Sequence, residues 1–222
     1  MIHSSKKRAL MVIGVAALLL CGCRHVTRVK MAATIHAGNK AYVGSSVQEY
    51  SCRKSTHIMN DLDECRIRGE AVVVDVPGDG PVFLIFNYPG AHSHTAMVQE
   101  VLNRVSGGIP FDVTNKDLPE SWPLSTDQMP MMVRFDNIKD PTSVQQVDPN
   151  HLQATFGRDV SDIRVMVEKT SAPVTFGRME RIIPWISNRG NPFHPGYSVA
   201  IPFTGTFIDD MSPYDFVWND KK

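Results

Sequence analysis

Two histidines flanking a serine, His92-Ser93-His94, form the sharpest cluster of reactive side chains in this 222-residue chain. Alternating histidines can place both imidazoles on one side of an extended segment, which is how a zinc site begins. A metallo-hydrolase pattern also needs an acid and another histidine soon after, and here Thr95, Ala96 and Met97 follow. The missing ligands would have to come from His57, His151, His194 or a remote carboxylate. The bland alternative is a polar entry to a helix. His92 and His94 are therefore weak metal candidates, and a zinc-dependent hydrolase is the enzymatic alternative for the chain. Ser51-Cys52-Arg53-Lys54 has the Ser-x-x-Lys spacing of penicillin-binding enzymes, but the Ser-Asp-Asn and Lys-Thr-Gly partners are absent. Asp61, Asp63 and Glu64 could offer oxygens to calcium, yet Cys65 and Arg66 stand where further ligands and a glycine belong. Gly78-Asp79-Gly80 lacks the third glycine of a phosphate loop and opens no helix, so it reads as a turn. No nucleophilic or titratable groups converge at diagnostic spacing. The chain is read as non-enzymatic and without a cofactor.

The cysteines carry a different chemistry. Lys6, Lys7 and Arg8 form a positive start, and residues 9–20 are uncharged and mostly apolar. A membrane-spanning helix needs roughly 20 apolar residues, so this run is too short to cross. It has the length of the hydrophobic region of a secretory signal, about 7–15 residues. It ends at Leu20-Cys21-Gly22-Cys23, which resembles the signal of bacterial lipoproteins, cleaved just before a cysteine that receives lipid. Cys23 fits best as the acceptor, because Gly22 supplies the small residue before the cut; Cys21 would put Leu20 there. An uncleaved signal anchor is the remaining alternative. In that lipoprotein class an aspartate after the lipidated cysteine retains the protein in the inner membrane. Arg24, or Gly22 if Cys21 were used, implies the outer membrane, with the chain facing the periplasm. Residues 1–22 then form the signal peptide and residues 23–222 the mature chain.

In an oxidising periplasm the two cysteines that remain, Cys52 and Cys65, read as a disulfide. The segment between them is polar and cannot pack a core of its own. Closing such a loop is worth about 3 kcal/mol in the chain-entropy model. A zinc pair with His57 is the alternative, but no second cysteine pair exists to complete four ligands.

Charge narrows the partners. The whole chain has 23 basic and 23 acidic residues. Losing residues 1–22 removes Lys6, Lys7 and Arg8 and no acid, leaving 20 against 23, a net −3. Such a chain has no electrostatic footprint for nucleic acid. It shows no polybasic stretch for anionic lipid either, so attachment to the membrane falls to the lipid.

Strand signals dominate the elements that must position these residues. Val29, Met31, Ala33 and Ile35 alternate across residues 26–35, Gly38-Asn39 marks a turn, and residues 46–51 return as a second strand. Residues 71–76 and 82–86 are near-continuous apolar runs around Pro77-Gly78-Asp79-Gly80-Pro81, the signature of a hairpin. Consecutive apolar positions predict central strands covered on both faces. Val98, Val101, Leu102 and Val105 have helical spacing, ended by Gly107-Gly108. Four prolines interrupt residues 109–130, which is read as a surface excursion with short strands or a binding loop. Residues 131–135 and 163–167 read as strands. Asp148-Pro149 opens a short helix with Leu152 and Phe156 on its apolar face and Gly157 at its stop. Residues 179–183 read as a helical turn broken by Pro184, and residues 197–208 as a bent or edge strand. The tail after Asp209 is acidic and aromatic, with Tyr214, Phe216 and Trp218; it is read as a flexible, exposed and partly packed terminus, with a recognition segment for a partner as the alternative. Helices do not alternate with strands, so a doubly wound parallel sheet is disfavoured. The expected fold is α+β: one domain of seven or eight mostly antiparallel strands, sandwich-like, with two short helices.

Several blocks resemble an uncharacterised family of small proteobacterial lipoproteins. They are Gly44-Ser45-Ser46-Val47, GEAVVVDVPG at 69–78, MVRFDNIKDPTSVQQVDP at 132–149, Phe156-Gly157, Pro173-Val174-Thr175 and Pro184-Trp185-Ile186. Together they span about half of the mature chain and look like fold determinants. The resemblance implies a lipid-anchored envelope protein and brings no activity with it. The Cys52–Cys65 insertion and the histidine loop lie outside these blocks. The expectation is a non-enzymatic lipoprotein that binds a protein or another envelope component, tethered to the membrane by its N-terminal lipid. An immunity lipoprotein that neutralises a toxic effector in the periplasm is the alternative within binding.

Overall fold

In a computed structural model of the protein, residues 25–53, 64–87, 119–156, 160–187, 192–193 and 211–218 are described. In chain order they form strands β1 (His25–Ala37), β2 (Lys40–Arg53), β3 (Glu64–Glu70), β4 (Val72–Val76), β5 (Gly80–Leu84), β6 (Ser121–Leu124), β7 (Met132–Phe135) and β8 (Val144–Val147). Helix α1 (Leu152–Phe156), β9 (Val160–Lys169), helix α2 (Met179–Ile182) and β10 (Val217–Trp218) follow. One sheet has the order β10-β3-β2-β1-β9-β6 and the other β4-β5-β7-β8, with every pairing antiparallel. The expected α+β sandwich with two short helices is the fold observed.

The long β1–β2 hairpin sets the first sheet. On β1, Thr27, Val29, Met31, Ala33 and Ile35 are buried, while Val26 and Lys30 are exposed on the other side. Strict alternation of this kind buries one face of a sheet and leaves the other available to solvent. Pro123 lies in β6, the edge strand, where a missing ladder donor is tolerated.

Strands β3 and β4 are separated by Ala71 alone, and there the chain leaves one sheet and enters the other. Gly69 makes the exit possible. Its φ is +140°, and a Cβ there would stand 3.1 Å from the Val47 carbonyl oxygen. Where β3 departs, Thr175 takes its place beside β2: Val47 N donates to Thr175 Oγ1 at 2.9 Å, and Thr175 N donates to Val47 O at 3.0 Å.

The four-stranded sheet is covered on both faces. Val72, Val74, Val76, Val82 and Leu84 pack toward the first sheet, with Met31, Ile35, Ile67 and Val165. Val73, Phe83, Val133 and Phe135 point the other way, into a layer built by Met179, Trp185, Phe193 and Phe216. This explains the unbroken apolar runs of β4 and β5. Their expected central position holds for β5 only, because β4 ends the strand order.

The C-terminal segment corrects the sequence reading. Residues 211–218 are not a flexible tail. Phe216 is fully buried and touches the rings of Phe83, Phe135, Trp185 and Phe193, with centroids 5.7–6.3 Å apart. Val217 and Trp218 pair with Glu70 and Gly69. Buried aromatic area outweighs the entropy of a loose end. The short strands β6, β8 and β10 raise the strand count above the seven or eight expected. Residues 179–182 form the second short helix. The helix expected at residues 98–105 and the strand expected at residues 197–208 lie outside the described residues.

Candidate functional site

The start of β1, the end of β2 and the start of β3 bring together residues far apart in sequence. His25 is opposite Cys52, and Cys52 is opposite Cys65. The backbone parity of β2 fixes the kind of pair. Val47 turns its N–H and C=O toward Thr175, on the β3 side of β2. Alternation with no register shift then turns the backbone of Cys52 toward β1. Cys52 and Cys65 are therefore a non-hydrogen-bonded pair, for which Cα atoms lie about 4.5 Å apart. Disulfides span Cα separations of roughly 4.4–6.8 Å, so the register permits the bridge expected from sequence. Reductant, or Cys52→Ser with Cys65→Ser, is expected to lower the melting temperature by roughly 6–12 °C, from about 3 kcal/mol in a domain of this size. Identical melting with and without reductant would mean that no such constraint operates.

One turn of the ladder further in, Glu49 is clamped between two arginines. Arg28 Nε donates to Glu49 Oε2 at 2.8 Å, and Arg68 Nη1 donates to Glu49 Oε1 at 3.0 Å. The three residues are directly opposed on β1, β2 and β3. Burial pushes the Glu49 carboxyl up, but the hydrogen bonds and charges of Arg28 and Arg68 outweigh it and hold its pKa below the ordinary value. Arg68 also lies over the Phe176 ring, 5.9 Å from its centroid. Residues 21 and 19 positions apart meet here through strand register alone, a relation that no local spacing signals.

Glu70 is the other acid that sequence reasoning passed over. Its side chain is fully buried at the switch between sheets. The carboxyl accepts Arg178 N at 2.9 Å and Met179 N at 2.6 Å, tying down the start of α2. Its own carbonyl accepts Ser46 Oγ at 2.7 Å and Gln48 Nε2 at 3.4 Å, and Tyr50 donates to Gln48 Oε1 at 2.6 Å. An acid immediately before the apolar run Ala71-Val72-Val73-Val74 was the available signal. These contacts make Glu70 a structural hub whose acceptors are occupied by backbone.

The remaining titratable contacts are at the surface. His36 Nδ1 meets Asp162 Oδ1, and Arg164 Nε donates to Asp162 Oδ2 at 2.8 Å. Arg164, and then His36, hold the Asp162 carboxyl below its ordinary pKa. Asp148 accepts Asn150 N at 2.8 Å and contacts His151 Nδ1 at 2.7 Å, closing a turn that leads into α1. His151 alone of the histidines weighed as zinc ligands is described, and it is engaged in this turn. Cys21, Cys23, His57, His92, His94 and His194 lie outside the described residues. Among the described residues, no group of three or more His, Cys, Asp or Glu could hold a metal ion. No described helix is long and apolar enough to cross a membrane.

The blocks that prompted the family resemblance bond to one another. Ser46 meets Glu70, Val47 meets Thr175, and Trp185 Nε1 donates to Ile138 O at 2.8 Å. They connect separate elements, as fold determinants do. Comparison of the chain with protein-family models, with curated proteins and with solved structures returns no match.

Proposed function

We propose that this chain is a non-enzymatic lipoprotein of the cell envelope. It is held by lipid at Cys23 on the periplasmic side of the outer membrane, where it binds a protein or another envelope component. The observation that carries the reading is Leu20-Cys21-Gly22-Cys23 after a charged start and a short apolar run. Two further features support it. Strand β1 begins at His25, two residues after Cys23, as suits a body attached at its N-terminus. The buried acids Glu49 and Glu70 are engaged by arginines and backbone amides, which makes them parts of the scaffold. Tethering confines the body to a thin layer at the membrane, where high local concentration favours weak partners.

Removing the acceptor tests the anchor. Cys23→Ala is expected to move the protein from the membrane fraction to the soluble fraction. Globomycin is expected to make the unprocessed precursor accumulate. Fractionation unchanged by the substitution would overturn the reading.

A further inference from the structure

We infer that the end of the six-stranded sheet bearing the starts of β1 and β3 rests on the bilayer itself, with its arginines against anionic phospholipid headgroups. The inference rests on lipidation at Cys23 and adds a surface, an orientation and a ligand chemistry to it.

Chain length is the first argument. Only Arg24 lies between Cys23 and His25, where β1 begins. Two residues reach at most about 7 Å when fully extended. The headgroup region on each side of a bilayer is itself roughly 5–8 Å deep. A lipid inserted at Cys23 therefore brings the first paired residue of β1 to the headgroups, with no flexible linker to hold the body away.

Rigidity is the second. Strand β1 is paired from its first residue, His25, with β2, and from Val29 with β9 as well. Its start cannot approach the membrane without bringing the adjoining end of β2 and β3. The row His25, Cys52, Cys65 and the row Val26, Ser51, Arg66 arrive together.

Charge is the third. Among the described side chains, this end of β1, β2 and β3 holds Arg28, Arg66 and Arg68, against Glu49. Glu49 lies between Arg28 and Arg68, so one carboxyl is shared by two guanidinium groups. The mature chain as a whole carries more acids than bases. An anionic surface thus repels most of the body and attracts this end, and the tether and the field favour one orientation. The sequence hides the cluster, because its arginines come from two separate stretches. Val26, 51% exposed and in the same row as Arg66 across Ser51, adds an apolar side chain at headgroup depth.

The test uses the full mature, acylated protein in vesicles of zwitterionic phosphatidylcholine, with or without anionic phosphatidylglycerol, whose acyl chains are brominated. Val26→Trp introduces an indole at the proposed contact. Val43→Trp is the matched control: Val43 is 65% exposed, on the same outward side of the sheet. It lies eight residues along β2 from the partner of Val26, roughly 26 Å away. Bromine is expected to quench the added emission of Val26→Trp, more strongly with phosphatidylglycerol present, and to leave that of Val43→Trp unquenched. Arg66→Gln, combined with Val26→Trp, is expected to shrink the difference between the two vesicle types. Each basic group near an anionic surface contributes about a fivefold bias. Wild-type melting temperatures in the variants exclude misfolding as the cause.

Vesicle-bound, acylated protein in which both indoles are quenched equally, or neither is, would overturn the orientation while leaving the anchor intact. Quenching of Val26→Trp that ignores phosphatidylglycerol would overturn the arginine contact. Protein that carries no acyl group and stays off the vesicles would overturn the anchor, and the inference with it.

Discussion

Glu70→Ala is expected to lower the melting temperature by about 10 °C. The substitution removes the acceptor of Arg178 N and Met179 N in a place that water does not reach. A buried donor left without a partner costs about 1–3 kcal/mol, and two donors plus the lost side-chain volume give about 3–5 kcal/mol. For a domain of this length each kcal/mol moves the transition by roughly 2–4 °C. Glu70→Gln keeps one carbonyl oxygen but turns an amide N–H₂ toward backbone donors, so it should fall between alanine and wild type. The damage should also be local in its first stage. Loosening α2 frees Met179 and Ile183 from the aromatic layer, so near-ultraviolet circular dichroism should weaken before the far-ultraviolet strand signal does. A Glu70→Ala melting temperature within about 2 °C of wild type would show that α2 docks without this carboxyl.

The second large effect belongs to Gly44. A Cβ built there would stand 1.8 Å from the Val73 carbonyl oxygen and 2.5 Å from its carbon. Real Cβ contacts essentially never fall below 3.0 Å, and both partners are backbone, so no side chain can rotate aside. Gly44→Ala must push β2 and β4 apart by more than an ångström. Ala33, opposite Gly44 and fully buried, shows that the inner face is built from small residues at this crossing. Overpacking costs about 1–3 kcal/mol where neighbours can yield, and here the loss should reach about 3 kcal/mol or more. Gly38→Ala is the control. Gly38 has a φ of +57° and open space around it, so alanine there meets only the strain of the left-handed region, about 1 kcal/mol. Thermal melting of the two variants compares them directly. Equal destabilisation would mean that the sheets do not approach as closely as the Gly44–Val73 contact requires.

Local signals carried much of the fold. The β1–β2 hairpin, the β4–β5 hairpin and the short helix with Leu152 and Phe156 buried were legible because alternation, turn residues and apolar spacing act within a few positions; Asp148, read as the cap of that helix, instead closes the turn before it, and the helix starts at Leu152. Glu49 with Arg28 and Arg68, and Glu70 with Arg178, were not legible. Each depends on pairing between strands or on docking of a distant turn, which sequence spacing does not encode. The C-terminal segment failed for a related reason. Met211, Phe216 and Trp218 show no helical or strand period; only the cores they enter give them a place, the aromatic layer for Met211 and Phe216 and the core between the sheets for Trp218.

The sequence by itself determined the class of architecture, and it carries the residues on which the proposed address rests. A charged start, a short apolar run and a terminal cysteine are contiguous, and so are the alternating runs that make strands. The tertiary structure decided how those strands are ordered, where the chain changes sheets at Gly69 and Glu70, and which charges gather beside the start of β1. Burial, register and charge clustering are sums over distant residues. They come into being only when the two sheets close on one another.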